Sequence, residues 1–82
     1  MSDAAQLIRA KRTARELSLQ EVADGTGLSK PQVHRYETGG TPIMHANPKR
    51  ISRLLEFLGG ATFAKQVVRT AVKEWTQAVL PT

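Results

Sequence analysis

The chain has 82 residues, enough for one domain; a chain this short buries only about 60% of its unfolded surface, so a second copy would add useful core. Twelve Lys and Arg against seven Asp and Glu give a net charge of +5, which points first to nucleic acid and second to an anionic membrane surface. With no cysteine there is no disulfide framework, thiolate zinc site or Cys nucleophile, and four aromatics are too few for a base-stacking platform.

In chain order the sequence reads as helices separated by short, punctuated turns. Ser2 or Asp3 caps a first helix reaching about Leu17, with Ala4, Leu7, Ile8, Ala14 and Leu17 on its apolar side. Ser18 caps a short second helix, and Glu21 three residues on completes a capping box. Gly25-Thr26-Gly27 ends that helix, where the two glycines are expected to supply the positive φ of a sharp turn. Ser29 caps a third helix, Lys30 to Thr38, with Pro31 in its first turn and Gly39-Gly40 as its stop. After a loop from Thr41 to Ala46, Asn47-Pro48 starts a fourth helix with Ile51, Leu54, Leu55 and Leu58 inward, closed by Gly59-Gly60. The fifth spans about Ala61 to Leu80, its apolar side made by Ala64, Val67, Val68, Ala71, Val72, Trp75, Ala78 and Val79. No segment alternates with period two. The expected fold is all-α, five helices in a single domain over residues 1–82.

The second and third helices form a pair with specific internal spacing. Val22 and Ala23 face inward from one, Val33 and Tyr36 from the other, and Leu28 plugs beneath the Gly27 turn. Ala23 is small where two crossing helices approach closely. Over residues 17–39, LSLQEVADGTGLSKPQVHRYETG, the chain resembles the lambda Cro/repressor type of helix-turn-helix protein, also called the xenobiotic-response-element family. The resemblance covers about residues 4 to 58 and extends to small phage or plasmid repressors. Two positions depart from the pattern. Leu19, followed by Gln20, stands where a DNA-touching Gln is frequent, and Thr26 replaces a larger apolar residue.

The resemblance implies that the third helix enters the major groove. With Val33 at the centre of its buried side, Pro31 and Arg35 fall almost opposite, flanked by Gln32, His34 and Thr38. Arg35 is expected to fork onto guanine and Gln32 onto adenine. Lys30 reaches a base or a phosphate, and Ser29 at the helix N-terminus suits a phosphate oxygen. Gln20, Thr38, Thr41, His45, Asn47, Lys49 and Arg50 are further expected phosphate contacts, with Arg53 nearby. Arg9, Lys11, Arg12 and Arg15 make the first helix basic, and spacing does not select which of them face DNA. The resemblance also implies a tie between Arg12 and Glu37 that sets the pose of the third helix; the alternative is a weak surface pair. His34 and His45 lack a second ligand at workable spacing, so no metal is expected.

Val68, Val72, Trp75 and Val79, with Leu80, form surplus apolar surface, the expected interface of a homodimer that presents two recognition helices to a palindromic site. Lys65, Arg69 and Lys73 lie on the other side of that helix, the pattern of a membrane-surface helix as well, though it leaves the other helices without a role. No spanning segment or signal peptide is expected, and the expected location is the cytoplasm, at the nucleoid. The alternative reading is a helical adaptor, such as the DNA-binding antitoxin of a toxin–antitoxin pair. No nucleophile–base constellation or phosphate-cradling loop points to an enzyme, and neither a cofactor nor a small-molecule effector is expected. The sequence reads as a double-stranded DNA-binding repressor.

Overall fold

A computed structural model describes residues 2–79, all helix and turn. Four α-helices are present: α1 (Asp3–Ala14), α2 (Leu19–Thr26), α3 (Lys30–Thr38) and α4 (Pro48–Val79), with a 3-10 turn at Ile43–His45 between the last two. The expected fourth and fifth helices are therefore one element, broken at Gly60, where φ 80° and ψ −170° leave the helical region. The physical reason is local. A single non-helical residue bends the axis without opening a loop.

Ser2 caps α1, its hydroxyl oxygen accepting the Ala5 N–H at 3.2 Å. The helix stops at Ala14, three residues before the expected end at Leu17. Leu17 N–H donates to Arg12 O and Glu16 N–H to Thr13 O, at 3.1 and 3.0 Å, closing the helix in a Schellman arrangement. Glu16 holds the left-handed position of that cap at φ 57°, a place glycine usually fills. Ala14 is exposed rather than inward, and Ala5 takes a core position instead.

Both reciprocal bonds of the α2 capping box are made, each 3.0 Å, between Ser18 and Glu21. Only Gly27 adopts positive φ at the end of α2; Gly25 is helical, contrary to the paired-glycine turn. Gly25 admits α4 instead, since a Cβ there would lie 2.4 Å from the Phe57 ring. Thr26 is buried, and its hydroxyl donates to Val22 O at 2.7 Å. A polar side chain thus fits an apolar position by bonding its own helix.

The core is built on Ile8, Val22, Val33, Leu54, Leu55, Leu58 and Val67, all fully buried. Beyond the kink, the single stripe expected on the last helix divides in two. Phe63, Val67 and Ala71 face the core with Ala64 half-buried, whereas Val68, Val72 and Trp75 stay more than 40% exposed. The side chains of Ala78 and Val79, and all of Leu80, lie outside the described residues.

Two polar clamps fasten α4 to α1. At the kink, Arg15 Nη1 donates to the carbonyls of Phe57 and Leu58 at 2.7 and 2.8 Å, giving helix-end acceptors a partner. The Lys11 ammonium lies 5.5 Å above the Phe63 ring on the other side of the bend. At the far end of α4, Glu74 accepts from the Ala4 N–H at 2.7 Å and from the Ser2 hydroxyl at 2.8 Å. A carboxylate there meets the positive end of the α1 dipole.

Two of the positive-φ positions, Gly60 and Glu16, should respond with opposite signs. Gly60→Ala meets no atom within 4 Å, so its expected loss of about 1–3 kcal/mol is backbone strain alone. Glu16→Gly should gain about 1 kcal/mol by removing a left-handed Cβ. Urea unfolding of the two variants beside the parent measures both.

Candidate nucleic-acid interface

Three local devices fix the position of α3. Ser29 and Gln32 form a capping box, Ser29 N–H to Gln32 Oε1 at 2.9 Å and Gln32 N–H to Ser29 Oγ at 3.2 Å. Pro31 occupies the first turn, where its missing N–H costs nothing, and Gly39 ends the helix. The third device spans 25 residues of chain. Arg12 Nε and Nη2 donate to Glu37 Oε2 and Oε1 at 2.6 and 2.9 Å, a two-pronged fork. Arg12 Nη1 also donates to Leu17 O at 2.7 Å, so one guanidinium joins α1, α3 and the α1–α2 turn. Glu37 is only 2% exposed.

That burial decides the electrostatics of the outer face. Glu37 is the one acidic residue of α3, and it is paired and hidden. Lys30, Pro31, His34, Arg35 and Thr38 are exposed, and Val33 and Tyr36 are buried behind them. All the charge that α3 presents outward is positive.

A groove between α3 and the start of α4 gathers Gln32, Arg35, Thr41, His45, Asn47 and Arg50 along one wall of the molecule. Lys49 and Arg53 are exposed nearby on α4, outside that lining. His34 and Thr38 instead line a second cleft, between α3 and α1, together with Arg9, Arg12 and Leu19. The expected contact residues that line a cleft therefore fall in two sets, one on each side of α3, while Gln20, Ser29, Lys30, Pro31 and Lys49 line neither.

Several of these side chains already have partners, which limits what each can offer. Gln32 Oε1 is taken by the capping box, so a two-bond fork onto adenine would compete with the cap and its amide N–H groups are the free donors. Asn47 Oδ1 accepts from the Lys49 and Arg50 N–H groups at 3.0 and 3.3 Å. Thr38 donates its hydroxyl to His34 O at 3.0 Å. Gln20 is exposed on α2, its amide donating to Asp24 at 2.8 Å. Ser29 accepts through its oxygen and keeps its hydroxyl proton free. Lys30 and Arg35 are the least committed donors of the ridge.

With this geometry in place, the family model for Helix-turn-helix matches residues 8–64. The chain belongs to that family. It is a DNA-binding helix-turn-helix domain, with α2 and α3 as the paired helices. No curated protein and no solved structure matches it. Among the described residues there is no group of metal-binding side chains, and no helix is long and apolar enough to cross a membrane.

Sequence spacing gave no signal for Arg15 and Glu74, whose partners lie more than 40 residues away along the chain. Both act on the frame that carries α3. Removing the fork should expose how much of that frame depends on it. Glu37→Ala leaves a partly buried guanidinium without its partner and should cost about 3–5 kcal/mol, read from urea unfolding.

Proposed function

We propose that this chain is a sequence-specific double-stranded DNA-binding repressor that works as a homodimer on a palindromic operator. The observation that carries this reading is the outer face of α3, whose exposed charges are all positive and whose one acid is buried against Arg12. In the major groove, Arg35 would fork onto guanine O6 and N7, and Lys30 would reach a base or phosphate from the first turn. The groove holding Thr41, His45, Asn47 and Arg50 would follow the sugar–phosphate backbone, with Lys49 beside it and Ser29 donating at the N-terminus of α3. Bound there, the protein would obstruct polymerase, on its own promoter among others, in the cytoplasm at the nucleoid.

Val68, Val72 and Trp75, exposed in the single chain, support the dimer. They recur at helical spacing on one side of α4, distinct from the stripe that closes the core. A second copy there would double the recognition helices and set their separation near one DNA turn, about 34–36 Å.

Fluorescence anisotropy with the duplex upstream of the gene, against a scrambled duplex, tests the reading. A preference of about 10³-fold or more is expected at near-physiological salt. Equal binding to both would remove sequence specificity at that site. Arg35→Ala should lose about 1–3 kcal/mol on the preferred duplex and flatten the preference at one base pair. Trp75→Ala should lower the sedimentation coefficient at a given concentration while leaving a folded chain. A coefficient that stays at the monomer value across concentrations in the parent would remove α4 from any self-interface.

A further inference from the structure

The four cations of α1 and its C-cap are not equivalent. Relative to buried Ile8, at about 100° per residue, Lys11 and Arg15 fall on one side of the helix and Arg9 and Arg12 on the other. The first pair is occupied at the α4 kink, Arg15 on the carbonyls of Phe57 and Leu58 and Lys11 on the Phe63 ring. Arg12 is neutralised by Glu37. That leaves Arg9. It is exposed, and among the described residues no hydrogen bond or ion pair engages its side chain.

Its position gives that freedom a direction. Arg9 lines the cleft between α1 and α3 with Leu19, His34 and Thr38, so it borders the positive ridge of α3 on the side away from Arg35's groove. Glu37, the only acid lining this cleft, is consumed by Arg12. Glu21 and Asp24 of α2 are engaged locally, one in its capping box and the other by Gln20. Leu19 offers the cleft no polar group. With Arg12 and Glu37 paired, Arg9 is the arginine of the cleft left uncompensated.

We infer that Arg9 is a DNA-backbone contact, binding a phosphodiester at the α1–α3 cleft while the Arg50 groove binds the strand on the opposite flank of α3. The inference rests on the DNA-binding reading above. Arg9 supplies charge and hydrogen bonds to phosphate but no base contact, so its contribution is independent of sequence and dependent on salt.

The test is the salt dependence of duplex affinity by anisotropy, for the parent, Arg9→Ala, Arg9→Lys and Arg69→Ala. Arg69 lies in a groove made wholly of α4 residues and removes the same formal charge far along the chain from α3. For Arg9→Ala, the slope of log affinity against log salt should become shallower by about 0.9, with the same fold-loss on operator and scrambled duplexes. Arg9→Lys should keep the slope, and Arg69→Ala should leave it unchanged. A parental slope in Arg9→Ala, or an equal change in Arg69→Ala, would overturn the assignment while the parent's binding upholds the DNA reading. Failure of the parent to bind any duplex would instead remove that reading and this inference together. Circular dichroism of Arg9→Ala, expected to match the parent because the side chain is exposed, separates lost contact from lost fold.

Discussion

Glu37 sits in the helix that presents Lys30 and Arg35 outward, yet it is buried and aimed back at α1. A carboxylate removed from water requires a charged partner with good geometry, and the Arg12 fork supplies both prongs. The same guanidinium reaches Leu17 O, and the Leu17 N–H closes on Arg12 O. One residue, through its backbone carbonyl and its side chain, therefore joins the end of α1, the entry to α2 and the orientation of α3. The outward face of α3 inherits its sign from this arrangement, because the acid that would offset Arg35 is withdrawn from the surface.

The remaining polar contacts do for α4 what the fork does for α3. A 32-residue helix that bends at Gly60 has two arms, and each needs its own attachment to the small core. Arg15 and Lys11 hold the bend, while Glu74 holds the far arm against the first turn of α1. Apolar packing through Phe63, Val67 and Ala71 supplies the surface between these points. The cations of α1 and its C-cap are thus divided by helix geometry into a structural pair facing α4 and a pair facing α3.

What was legible in the sequence was local. The Ser18–Glu21 capping box, the Ser29 and Asn47 caps and the inward Ile51, Leu54, Leu55 and Leu58 all act within a few residues, so spacing reveals them; the reciprocal Gln32 half of the Ser29 cap emerged only in the structure. The helix-turn-helix and the ridge of α3 follow from these signals. Glu16 as a left-handed cap was not legible, because a non-glycine residue there is held by hydrogen bonds that spacing does not encode. Nor was the division of the last apolar stripe, since Val67 and Val68, or Ala71 and Val72, are adjacent in sequence and only the neighbouring helix selects one of each pair for burial. Within the candidate site, residue identity was readable but prior commitment was not. Gln32 and Asn47 have amides suited to DNA, and the structure engages both oxygens in capping their own helices.

The Glu74 clamp has a mechanical consequence. Trp75 is the next residue along, so the largest exposed apolar group among the described residues of α4 is rooted beside a fixed point on the first turn of α1. From there α1 runs to Arg12, and Arg12 grips α3. In the proposed dimer, displacement applied at Trp75 would reach α3 through α1 as through a lever, with a polar contact at each end. Two such levers joined at their Trp75 ends would behave as callipers of set width, tolerant of sequence between the half-sites and intolerant of an added or missing base pair.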